Sequence, residues 1–206
     1  MGTRASPNSK HTDEPKPHVL EIVLGPMTEV GHIVVSKLDA AQRQLRVAIR
    51  MLFSEDDPVA VHTLVGAASL LFSDLVEINA PEQSWDKKAR EATSLTRAEY
   101  FQVMRRHQNF FKHARDDHSA VLALDPGETE SLAFWAVMNA SELAPLSTEA
   151  QVYQLWYIAA RSPFADPTRS PLREALQVFG DLRPLPRGER LKAGVRVLRA
   201  ELSRVA

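Results

Sequence analysis

The chain has 206 residues and a formal charge of −1, from 25 Lys and Arg against 26 Asp and Glu. It contains no cysteine, which excludes disulfides, thiolate zinc sites, iron–sulfur clusters and cysteine nucleophiles. With 44% hydrophobic and 25% charged residues it has the composition of a globular domain, long enough to bury roughly 70% of its unfolded surface. The near-neutral balance gives no bulk attraction to nucleic acid or membrane, so any such attraction must be local.

Residues 1–17 mix Ser, Pro, Lys, His, Asp and Glu with almost nothing apolar, which predicts a disordered tail ahead of a single α-helical domain over residues 18–206. No stretch resembles a secretory signal or a run of about 18 apolar residues, so a cytoplasmic protein without membrane contact is expected. His18 to Gly25 and His32 to Val35 are rich in β-branched residues and are separated by Gly25-Pro26 and Gly31, a pattern that fits a small hairpin.

From Ser36 the apolar residues change to helical spacing. Leu38, Ala41, Leu45, Ala48 and Leu52 share one face of a first helix, with Ser36 and Asp39 at its start. Asp57-Pro58 opens a second helix running to about Asn79, apolar round much of its circumference and so expected in the middle of the domain. Residues 80–94 lack a clear period and read as a connection. Thr96 and Glu99 form a capping box for a third helix through Phe110 and Phe111 to about Asp116. Asp125-Pro126 starts a fourth helix, Ser147 a fifth, Ser170-Pro171 a sixth ending at Gly180, and residues 187–205 form the last. The aromatic pairs Phe134-Trp135 and Trp156-Tyr157 fall in apolar stripes and are expected in the core. The expected architecture is an all-α bundle of about six or seven helices. No GxGxxG or P-loop pattern is present, and no cofactor is expected.

The stretch from Arg105 to His118 carries the densest polar chemistry. On a continuous helix Arg106 and His113, seven positions apart, point within about 20° of each other, with Asn109 between them on the same strip. A guanidinium can hold a phosphate and an imidazole titrates near neutrality. Those are groups that RNA cleavage without metal requires: a base for the 2′-hydroxyl, an acid for the leaving oxygen and a cation for the phosphorane.

Arg106, the polar His107 after it and His113 after six intervening residues resemble the signature of the HEPN domain, the higher-eukaryote and prokaryote nucleotide-binding group. That resemblance implies an all-α bundle, a metal-independent ribonuclease or RNA-binding activity, and a homodimer that joins two motifs in one site. It also implies that Arg106 binds the scissile phosphate and His113 acts as acid or base, with His107 and Asn109 in support. The segments Asp57 to Leu64 and Asn109 to Asp117 further resemble an uncharacterised bacterial helical family, which implies a fold and no activity.

Other readings of the same residues remain open. His113 between aromatic neighbours is equally a border residue hydrogen-bonded to a neighbour, and Lys112 equally a helix-ending cation. His62, in an otherwise apolar helix beside Gly66 and Ser69, is expected either to hydrogen-bond internally or to face His113, where nearby Asp57, Asp74 or Asp116 could complete a metal site. Residues 183–206 hold seven cations against two anions, a local +5 that leaves −6 for the rest of the chain. Behind them Leu191, Val195, Leu198, Leu202 and Val205 form a narrow apolar seam. A rival function follows from that seam: a non-enzymatic helical module that dimerises or docks through it.

Overall fold

In the computed structural model, which describes Met1 and residues 33–115, 117–161 and 166–205, the start signals read from sequence are satisfied by real caps. Ser36 accepts from the Asp39 amide at 3.1 Å and opens α1, Lys37–Phe53. Asp57 accepts from the amides of Val59 and Ala60 and opens α2, Pro58–Asn79. The expected hairpin and nearly all of the expected tail lie outside the described residues, and residues 33–35 have no regular structure.

The body of the chain from Val35 onward is all-helical, with nine α-helices among the described residues. α2 is its axis, packed along α1 on one side and α6, Pro126–Ser141, on another. It is long and apolar enough to cross a membrane, but Val61, Val65, Ala68, Phe72 and Val76 are instead buried against those neighbouring helices. α7, Thr148–Arg161, joins α1 to α8, Leu172–Phe179, and to α9, Arg187–Val205. Gly180 stops α8 with φ of +69°, a value that glycine adopts without strain.

Two elements differ from the expectation and account for the larger number of helices. Residues 80–94 are not a plain connection: a short 3-10 turn, Pro81–Gln83, leads into α3, Trp85–Thr93. The helix is too short and too charged to show a period, and it is fixed by tertiary hydrogen bonds around Asp86, which is buried. The Tyr100 hydroxyl donates to Asp86 at 2.7 Å and Asn139 Nδ2 donates to its other oxygen at 2.8 Å, while Asn139 Oδ1 accepts from the Trp85 amide. Burial, with Asp86 beside it, raises the Tyr100 pKa, so the phenol stays a donor.

The third expected helix is broken. α4, Arg97–Met104, has the capping box at Thr96 and Glu99, but Arg105 leaves helical geometry at φ −102°, ψ 3°, and α5, Arg106–Lys112, begins anew. The break turns His107 and Gln108 into α2, where both are buried. Gln108 lies against Gly66, where a Cβ would come within 2.4 Å of its Oε1. Arg105 itself covers Phe101, its guanidinium 4.1 Å from the ring centre.

Part of the apolar seam of α9 packs within the chain. Leu191 and Leu198 are buried, and Trp156 Nε1 donates to the Arg190 carbonyl at 2.7 Å. Gly194 faces the ring of Phe53, which in turn lies 5.3 Å from Trp156 and 5.8 Å from Tyr153, centre to centre. A Cβ at position 194 would come within 2.4 Å of that ring, which is buried. Gly194→Ala is therefore expected to destabilise by about 1–3 kcal/mol through overpacking, despite the better helix propensity of alanine. Gly188→Ala, whose Cβ would meet only Glu55 Oε1 at 3.8 Å, should gain about 0.5–1 kcal/mol. Thermal denaturation of the two variants checks the opposite signs.

Candidate functional site

A groove of about 500 Å³ lies between α2, the α4–α5 elbow and the first turns of α6. It forms because the break at Arg105 swings α5 across α2, and because Asp125 and Pro126 start α6 beside it. His62 comes from α2, Arg106 and His107 from α5, Glu128, Ser131 and Trp135 from α6, and Arg161 from the end of α7.

Three of the residues singled out in the sequence meet here, in an arrangement the sequence did not suggest. His62 pairs with His107 instead of His113: the two rings are 5.2 Å apart at 62°, and Phe111 packs against His62 at 5.6 Å. Both imidazoles are buried. His62 Nδ1 is 2.8 Å from the Thr129 hydroxyl, and His107 Nδ1 lies 3.2 Å from a carboxylate oxygen of Glu128. Each Nε2 is buried without a hydrogen-bond partner. Burial, and then the neighbouring His107, lowers the His62 pKa to about 4, so this imidazole is neutral at physiological pH.

Arg106 is the first residue of α5, exposed at the groove and without an ion pair or hydrogen bond among the described residues. Arg161, the second guanidinium of the lining, is bound to the buried carboxylate of Glu130 at 2.7 Å. Asn109 is exposed one turn after Arg106. His113 does not continue the strip: it ends α5 in extended geometry, φ −125° and ψ 127°, and stands exposed outside the groove lining. The helix between the two motif residues is two turns at most, and the guanidinium and imidazole are both open to solvent.

Sequence reasoning missed Arg161, Glu128, Ser131 and Trp135. Glu128 lies in the first turn of a helix it stabilises electrostatically, which gave it an ordinary reason to be there. Trp135 was expected in the core. Only Trp156 of the four paired aromatics is fully buried; Phe134 stacks on Tyr157 at 4.3 Å, and Trp135 opens onto the groove.

Chemically, the groove offers one uncommitted cation, an aromatic face and two imidazoles, with Asp125 and Glu128 giving one wall the opposite sign. Among the described residues no group of three or more His, Asp and Glu is arranged to share a metal ion. Comparison with protein-family models, curated proteins and solved structures finds no match to this chain.

Proposed function

We infer that this chain is a HEPN-like protein that binds RNA and cleaves it without metal, with Arg106 as its phosphate ligand and His113 as a proton-transfer group. The observation that carries the reading is the exposed Arg106 guanidinium at the lip of the groove, which has no ion-pair partner among the described residues. Two phosphate oxygens can accept from its planar fork at once, and Trp135 in the same groove lining offers a face for a base. In the cleavage step the 2′-oxygen bonds to phosphorus as its proton passes to a base, and the 5′-oxygen leaves with a proton from an acid. A 2′,3′-cyclic phosphate results. One imidazole supplies one of those roles, so the reading includes a homodimer in which His113 of a second copy supplies the other.

α9 gives the reading a second support. Lys192, which pairs with Glu189 at 2.8 Å, Arg196 and Arg199 line with Val195 an open surface groove of about 420 Å³ along α9. Such a row neutralises backbone phosphates without reading sequence. Of the seam that the rival interaction module would use, Leu191 and Leu198 are buried, and α9 packs on α7 and α1.

Purified protein incubated with mixed single-stranded RNA at low salt is expected to bind it and to produce cyclic-phosphate ends, with the rate unchanged by EDTA. Arg106→Ala should weaken binding about tenfold, the worth of one charge-assisted contact. His113→Ala should abolish cleavage while leaving binding intact, and Arg196→Glu with Arg199→Glu should weaken binding and flatten its salt dependence. Wild-type protein that neither binds nor cuts RNA, or variants that match it, would remove the reading.

A further inference from the structure

His62 and His107 carry a second inference, independent of the RNA reading. A buried histidine ordinarily has both ring nitrogens satisfied, because an orphaned polar atom away from water is unfavourable. Here Nδ1 of each ring has a polar neighbour, Thr129 for His62 and Glu128 for His107, while both Nε2 atoms are buried with none. A metal-ligating histidine divides its nitrogens in this way, with one oriented by a hydroxyl or carboxylate and the other left for the ion. The ring spacing agrees. Bonds of roughly 2.0 Å place an ion roughly 3 Å from each ring centre, and an angle near 110° then separates the centres by roughly 5 Å, against 5.2 Å observed.

The same lining holds two carboxylates, Asp125, which caps α6 by accepting from the Gly127 amide at 2.8 Å, and Glu128, together with one soft donor, Met104, half-buried at the end of α4. Its thioether is soft, and the other two donors are imidazoles. Glu128 is placed on the far nitrogen of His107, not on the side of the orphaned one. A dication held by the two orphaned nitrogens would bring two charges onto buried donors that carry no negative charge of their own, and the desolvation cost rises with the square of the charge. A soft monocation needs only two or three neutral donors, which is what thioether and imidazole provide.

We propose that His62 and His107, with Met104 as a third ligand, form a binding site for one copper(I) ion that ties α2 to the α4–α5 elbow. The ion's role is to hold the elbow closed over α2, since its ligands come from both sides of the Arg105 break.

Anaerobic titration of the full metal-free chain with copper(I), in competition with a chromophoric chelator, tests this. The expected result is one ion per chain held tighter than micromolar, with Tm raised by about 5–10 °C at a hundredfold excess over Kd. X-ray absorption on the loaded protein should show two nitrogen scatterers and one sulfur. His107→Phe, which keeps an aromatic ring against His62, should lose the ion. Met104→Leu, close to isosteric, should fold normally, bind about tenfold more weakly and lose the sulfur signal. No binding at micromolar copper(I), zinc bound in preference to copper(I), or undiminished affinity in Met104→Leu would each overturn the assignment. None of these readouts involves RNA, so failure here and failure of the RNA reading are told apart.

Discussion

Replacing Arg161 and Arg187 together by methionine is expected to destabilise the domain by about 3–5 kcal/mol. Both guanidiniums converge on Glu130, each at 2.7 Å, and Glu130 is 0% exposed while the arginines are about a third exposed. The anion is thus the buried member and the cations reach water. Removing the cations strands a carboxylate in the interior; removing the anion leaves two guanidiniums that can turn outward. Glu130→Gln should therefore be the milder change, at about 1–2 kcal/mol. The triple variant with methionine at all three positions should recover most of the loss, because no uncompensated charge remains. Denaturant midpoints with an unchanged slope measure all three. Equal losses in the Arg161/Arg187 pair and in Glu130→Gln would show that the carboxylate is not the buried partner it is taken to be.

Acidification supplies the second large effect. His62 titrates at 6.5 when the chain is unfolded and at about 4 in the folded protein, where burial and the nearby His107 disfavour its charged form. Above pH 6.5 both states hold a neutral ring and the group contributes no pH dependence. As pH falls below that value the unfolded chain takes up a proton that the folded one refuses, so stability drops until the folded ring titrates. The full shift corresponds to at most about 3 kcal/mol, of which about 2 kcal/mol is lost by about pH 5, before most carboxylates protonate. In metal-free protein, unfolding free energies at about pH 7, 6 and 5 should follow this slope, and His62→Asn should flatten it. A flat profile in the unmodified chain would mean that the ring is solvated in the folded state.

The copper(I) and RNA proposals place different demands on one groove. An ion at its floor would fix the Arg105 elbow, and with it the direction in which Arg106 leaves the first turn of α5. Phosphate binding by Arg106 needs only the lip. RNA affinity in copper-loaded and metal-free protein thus reports whether the elbow's rigidity matters to the lip, while each proposal stands or falls on its own measurement.

Sequence by itself determined the helical fold. Asp57-Pro58, Asp125-Pro126 and the Thr96/Glu99 box act within a few residues of themselves, so α2, α6 and α4 begin where those residues stand. The three-and-four spacing of α1 likewise predicted Ala41, Leu45, Ala48 and Leu52 in the core. Tertiary contact decided what local signals could not carry. α3 exists because Asp86 meets Tyr100 and Asn139, residues 14 and 53 positions away. The long helix through Arg105 breaks because burying His107 and Gln108 on α2 requires a change of direction, and nothing within that stretch announces it. For the same reason His62 meets His107 and not His113, and Arg106 faces a groove built partly from α6 and α7. Helix starts are settled by bonds between neighbours along the chain; which side chains share a pocket is settled by packing between segments far apart in it.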